Sequence, residues 1–276
     1  MNNHKVKLKW ENIILTIFFI VFLVIFIISL INIIKWIIDS NDSSKQINSI
    51  VNNIKIDEVN DSDKTEIIPN EDDINEFNPY WDYIKMPLIN VNFEDLKNEN
   101  SDTVGWIKVN GTNINYPFVQ TDNNDFYLTH SFNKQRNNAG WVFLDYRNNK
   151  ENFDKNTIIY AHGRANNIMF GTLRNILKSD WIKETDNYII KLSTEKENTL
   201  WQVFSIYRIP TTNDYLKISF NDNKDFLEFA KMLVNRSDYN FNTNVYEGDK
   251  ILTLSTCYND KDKVVLHAKL IKREKR

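Results

Sequence analysis

The 22 residues from Ile13 to Ile34 carry no charge, and Thr16, Ser29 and Asn32 are their only polar members. A helix that rises ~1.5 Å per residue needs roughly 20 apolar residues to cross the hydrocarbon core of a bilayer. The run exceeds the about 7–15 residues of a signal-peptide core, and no small-x-small cleavage site follows it. Lys5, Lys7 and Lys9 precede it, whereas Lys35 is followed by Asp39 and Asp42. The lysine excess predicts that the N-terminal side stays in the cytoplasm. An atypically cleaved export signal is the alternative, and it places the rest of the chain on the same outer side. The expected order is a cytoplasmic terminus over 1–12, a membrane anchor over 13–38, a polar stalk over 39–78 rich in Asn, Asp, Ser and Glu, and one folded domain over 79–276.

A net charge of −3 argues against a nucleic-acid partner. Seventeen Phe, twelve Tyr and seven Trp argue for a packed interior. Domains outside the cell that use cysteine for stability carry it in pairs, and this chain has one, Cys257. It is a buried inert thiol, half of an intermolecular bridge, or a nucleophile.

From Tyr80 onward, YWDYIKMPLI and FEDLKNENSD read as short helices. TVGWIKV and NINYPFVQ flank an Asn-Gly turn and read as a hairpin. AGWVFLDY, NTIIYAH, NYIIKLS, TLWQVFSIYRI, KILTLSTC and KVVLHAKLI read as further strands, with the spacing of a closed or nearly closed antiparallel barrel. Two helices are expected among them: IMFGTLRNIL, with Met169, Leu173 and Ile176 on one face, and NDNKDFLEFAKMLVNR, with Phe226, Phe229, Ala230 and Leu233 on another. The fold class is α+β, mainly β with helices. There is no Gly-rich phosphate loop, CxxC or HExxH, and His4, His130, His162 and His267 are too dispersed for a metal site.

Cys257 closes the strand KILTLSTC and His162 closes NTIIYAH, each followed by a polar loop. A thiol nucleophile needs a neighbour that handles a proton and donors that stabilise an oxyanion. Two strand-end residues of these types suit a cysteine acyl-transferase. The competing reading is two satisfied residues at loop edges.

The segments TLSTC, IIYAHGRANNIMFGTL, AGWVFLDYRN and DTVGWIKVNGTNINYPFVQTDNNDFYLTHSF, with the long helix ahead of the last cysteine strand, resemble the sortases, specifically class B. The resemblance covers about 80–275. It implies an eight-stranded β-barrel with N-terminal helices and a membrane-anchored cysteine transpeptidase of Gram-positive surfaces that needs no cofactor. It implies that Cys257 attacks a Thr carbonyl in the C-terminal sorting signal of a surface protein. An amine of the peptidoglycan precursor then resolves the thioacyl-enzyme, with His162 as general acid/base. Nothing in the chain resembles the acidic calcium loop of some other sortases, although 221–225 and 259–262 are acidic.

One position departs from the family pattern. Lys263 stands where sortases carry an Arg that holds substrate and stabilises the oxyanion, and an ammonium lacks the planar fork of a guanidinium. Either Lys263 serves, or Arg164 or Arg208 supplies the fork, or the enzyme is impaired. Ser255 and Thr256 are candidates to line the site, and the Tyr258 N–H is a candidate oxyanion donor. Asp145 either orients a catalytic group or pairs with Arg147. His130 and His267 are expected to be structural, and the segment 205–245 to carry specificity. A cysteine hydrolase and a decayed, non-catalytic binding module are the rival functions.

Overall fold

The structure is a computed structural model that describes residues 10–68 and 79–276. Lys5, Lys7 and Lys9, on which the orientation of the anchor rests, and the last ten residues of the expected stalk lie outside the described residues. The chain divides into two compact units, Met1–Asp42 and Ser43–Arg276.

Helix α1 spans Trp10–Asn53. Its portion in the first unit is long and apolar enough to cross a membrane, and its large apolar side chains are exposed. The hydrocarbon core of a bilayer is the environment that suits such a surface.

In the second unit eight strands close a barrel: β4 (Thr103–Val109), β5 (Asn115–Val119), β6 (Phe143–Leu144), β7 (Asn156–Tyr160), β8 (Ile189–Thr194), β9 (Glu197–Pro210), β10 (Ile251–Cys257) and β11 (Asp262–Lys275). Their order is β10-β7-β6-β5-β4-β8-β9-β11, and β11 pairs back onto β10. The eight-stranded barrel is as expected, but it is not wholly antiparallel. β10 runs parallel to β7 and β5 parallel to β6, because the chain crosses over between the members of each pair. β4 and β5 form the expected hairpin, with Gly111 at φ +67°, a left-handed conformation that glycine adopts without strain.

Inward side chains such as Ile107, Ile159, Trp201 and Leu254 fill the barrel and are fully buried. A second apolar cluster lies under α5 (Asn223–Asn235), where Phe226, Phe229, Ala230 and Leu233 meet Phe204, Tyr207 and Val265. The helical spacing of those four residues predicts this face, and Asp222 caps the helix by accepting from the Asp225 N–H at 2.8 Å. Short helices α2 (Tyr80–Tyr83), α3 (Glu94–Glu99) and α4 (Ser179–Lys183) complete the unit.

Two further expectations are corrected. Much of the polar stretch taken as a stalk belongs to the second unit. β1 (Ile56–Val59) pairs with β3 (Leu88–Val91), and β2 (Thr65–Ile67) extends the sheet along β11. Lys272, buried on β11, fixes this region by donating to Asp61 at 2.6 Å and to the carbonyls of Ile84 and Met86 at 2.6 and 2.8 Å. A buried ammonium requires such partners. The segment IMFGTLRNIL is not an α-helix: Gly171–Leu177 is a 3-10 helix, and Met169 precedes it with φ +53°.

Candidate active site

The strand register brings the two predicted reactive residues together. β10 and β7 run side by side in parallel, with Ser255 opposite Tyr160, so both end at the same rim of the barrel. Just beyond that pair lie Cys257 and His162. Thr256 Oγ1 donates to the Ala161 carbonyl at 2.8 Å and locks the two strand ends. A Cβ at Gly163 would fall 2.2 Å from the Cys257 carbonyl oxygen, so only glycine lets the histidine loop pass this close to the cysteine backbone.

Cys257 is exposed. It is the last residue of β10, paired with Lys263 on β11, and Lys263 Nζ lies 3.0 Å from Cys257 Sγ. An ammonium at that distance stabilises negative charge that develops on sulfur.

His162 Nε2 lies 2.8 Å from the Leu128 carbonyl oxygen. The carbonyl only accepts, so Nε2 carries the hydrogen and the neutral ring keeps its lone pair on Nδ1. Burial lowers the His162 pKa. The Leu128 carbonyl opposes that shift, and the charges of Arg164 and Lys263 add to it. The net direction is down, so the ring is neutral at pH 7. Gly140, at φ +65°, makes room for it: a Cβ there would sit 3.0 Å from His162 Cδ2 and 2.5 Å from the Tyr127 carbonyl.

These residues open onto a cleft of about 390 Å³. One wall is the segment from Asn124 to Leu128, the other is the loop after β9 from Thr211 to Leu216, and Phe143 and Tyr160 lie between them. Cys257, His162, Lys263, Ser255 and Thr256 all line it. Ser255 Oγ is 2.9 Å from the Tyr215 hydroxyl, so this side chain ties β10 to the second wall.

The other candidates stand elsewhere. Asp145, fully buried, accepts from Arg147 Nε at 2.9 Å and Nη2 at 2.7 Å, and from the Tyr160 hydroxyl at 2.9 Å. Burial pushes its carboxyl up, but these bonds outweigh it and hold the pKa below the usual value. Arg147 also donates to the Leu216 carbonyl at 3.1 Å, so Asp145 braces the cleft from behind. Arg208 is paired with Asp262 and lies 4.0 Å over the Tyr258 ring. Arg164 reaches toward the Asn138 carbonyl at 3.4 Å. Neither arginine lines the cleft. The Tyr258 N–H, an expected oxyanion donor, instead donates to the Asp262 carbonyl at 2.8 Å and closes the β10–β11 turn. His130 bonds the Phe126 carbonyl at 2.8 Å and stacks on its ring.

Sequence reading missed Asn124, Leu128 and Tyr160, and it placed the second wall only within the broad segment 205–245. The Leu128 contribution is a main-chain carbonyl, which leaves no signal in residue type. Among the described residues no cluster of His, Cys, Asp and Glu has the geometry to hold a metal ion.

Comparison with known proteins converges on one family. The Sortase domain model matches residues 107–271. Sortase B of Staphylococcus aureus (strain NCTC 8325 / PS 47) is 36% identical over 184 residues, covering 65% of this chain and 75% of that protein. A structure described as a Staphylococcus aureus sortase B-substrate complex superposes with a TM-score of 0.61 at 36% identity, over 65% of this chain and 84% of that one. A Bacillus anthracis protein described as similar to sortase B superposes with a TM-score of 0.66 at 30% identity, over 86% of this chain and 97% of that one.

Proposed function

The chain belongs to the sortase family, class B, and we propose that it cleaves the C-terminal sorting signal of surface proteins after a Thr and joins them to an amine of the peptidoglycan precursor. The observation that carries this reading is the cleft in which an exposed thiol, an ammonium 3.0 Å from its sulfur and a neutral imidazole meet.

The peptide lies in the cleft with its Thr carbonyl at Cys257. His162 Nδ1 takes the thiol proton as sulfur attacks the carbonyl carbon. The same proton passes to the leaving amine as the C–N bond breaks, and a thioester to Cys257 remains. An incoming amine attacks that thioester, gives its proton to Nδ1, and the thiol is restored. Lys263 stabilises the sulfur before attack and the carbonyl oxygen during it. In this role it acts as a point charge where a guanidinium would offer a fork. The apolar part of α1 anchors the chain in the membrane with the barrel outside the cell, where both substrates are found.

The test is product analysis with the full chain in detergent micelles. Peptides with Pro-x-Thr-Gly and Pro-x-Thr-Asn cores are incubated with and without an added amine. The proposal expects cleavage after Thr, an amine-joined product when amine is present, and neither with Cys257→Ala. Hydrolysis alone, at any amine concentration, identifies a cysteine hydrolase. No processing together with an unreactive thiol identifies the decayed module.

A further inference from the structure

Behind the cleft wall formed by residues 211–216 runs a chain of polar contacts that begins and ends on the same loop, its links from Tyr207 to Thr253 and Asn156 being buried hydrogen bonds. Asp214 forms a two-pronged ion pair with Arg236, with Nη1 to Oδ1 at 2.8 Å. The Arg236 guanidinium also acts electrostatically on the Tyr207 hydroxyl. That hydroxyl is 2.8 Å from His267 Nε2, and His267 Nδ1 is 2.9 Å from Thr253 Oγ1. Thr253 Oγ1 donates to Asn156 Oδ1 at 2.7 Å. Asn156 Nδ2 then donates to the carbonyls of Tyr215 at 3.2 Å and Lys217 at 2.9 Å.

From Asn156 to Tyr207 every hydrogen has one possible direction. Two carbonyl acceptors fix the Asn156 amide, so its Oδ1 can only accept. The single Thr253 hydroxyl hydrogen goes there, and His267 Nδ1 must therefore carry a hydrogen for Thr253. His267 Nε2 is then the acceptor of the Tyr207 hydrogen. Asn156, Thr253 and His267 are fully buried and Tyr207 is nearly so, so a broken member leaves partners without water to replace it. The loop it grips has only one short 3-10 turn, Asp214–Leu216, to hold its own shape.

We infer that this Arg236–Tyr207–His267–Thr253–Asn156 circuit is a positioning device that sets the cleft wall for the acyl-donor peptide. The inference rests on the reading of the cleft as the sorting-signal site. None of the five residues lines the cleft, and the circuit acts only through the loop. Its loss therefore affects donor binding and not the reactivity of the thiol.

The experiment compares wild type, Thr253→Val, Thr253→Ser and Tyr207→Phe as full chains in detergent micelles. It measures amide hydrogen exchange, donor-peptide KM and kcat, and the rate of Cys257 alkylation by iodoacetamide. Thr253→Val is expected to speed exchange at 212–217 selectively and to raise donor KM on the order of tenfold, the effect of one lost buried hydrogen bond. Alkylation should be unchanged, Thr253→Ser should behave as wild type, and Tyr207→Phe should shift the same quantities in the same direction. Exchange that rises evenly through the barrel, or not at all, in both Thr253→Val and Tyr207→Phe overturns the inference. So does a donor KM that stays at the wild-type value while the loop loosens. If wild type processes no peptide while the exchange effect appears, the loop-holding role stands and the sorting-signal reading fails.

Discussion

Lys263 Nζ lies 3.0 Å from Cys257 Sγ, and the two residues form the last cross-strand pair of the β10–β11 ladder. The contact is a consequence of register, because each residue sits where its strand leaves the barrel. Removing the charge with Lys263→Met should lower kcat/KM for the donor peptide by ~10²-fold or more, the usual cost of losing one donor to a developing charge. Lys263→Arg keeps a cation and should retain most activity. Steady-state kinetics of both variants checks this, and equal losses would remove charge as the explanation.

His162 is held neutral at pH 7 because burial lowers its pKa. A histidine that accepts a proton during attack works while neutral. The acidic limb of the kcat/KM profile should therefore lie below the ordinary histidine value of about 6.5. His162→Gln should lower the rate ~10²-fold or more and remove that limb. A pH–rate profile of acylation measures both.

The close approach of Gly163 to the Cys257 carbonyl makes Gly163→Ala a probe of how tightly the two loops are packed. The added methyl has backbone on its near side and no flexible side chain to displace. The variant should lose about 1–3 kcal/mol of stability and most of its acylation rate. Urea unfolding and an acylation assay on the folded fraction separate the two effects. Unchanged kinetics would show that the loops can part without consequence.

Acid should destabilise the second unit in two stages. Burial, with the charge of Arg236 beside it, pushes the His267 pKa down to about 3. Its contribution is therefore complete above the unfolded value of about 6.5 and is lost as pH falls toward the folded value, by up to roughly 1.4 kcal/mol per pH unit. Asp145, held low by Arg147 and Tyr160, contributes fully above about 3.9 and loses that contribution as pH falls further. Urea midpoints at pH 7, 5 and 4 should fall for wild type. His267→Gln, less stable at pH 7, should fall less steeply between pH 7 and 5.

The β-barrel, its hairpin and the apolar face of α5 were legible because each rests on a short-range pattern: alternation, an Asn-Gly turn, and helical spacing. Cys257 and His162 were legible as candidates because one ends a strand and the other stands just past one, a placement that two satisfied loop-edge residues would share. The parallel pairing of β7 with β10 was not, because register between distant strands leaves no local mark. IMFGTLRNIL misled because its apolar spacing serves a 3-10 segment as well as an α-helix. The stalk misled because β1 and β2 are edge strands whose side chains remain largely half-exposed, so their composition resembles a linker. The motif singled out Lys263 on the strand after the cysteine, whereas its 3.0 Å approach to Cys257 Sγ and the Leu128 carbonyl that sets the His162 tautomer could be seen only in the fold.

The most direct measurement is the intact mass of the full chain after brief mixing with a Thr-containing sorting peptide in the absence of amine, followed by acid quenching. The account predicts an adduct equal in mass to the acyl fragment ending in Thr, attached to Cys257. It should disappear on addition of amine and be missing from Cys257→Ala. Cleavage after Thr that persists in Cys257→Ala, or an adduct on any other residue, would contradict it.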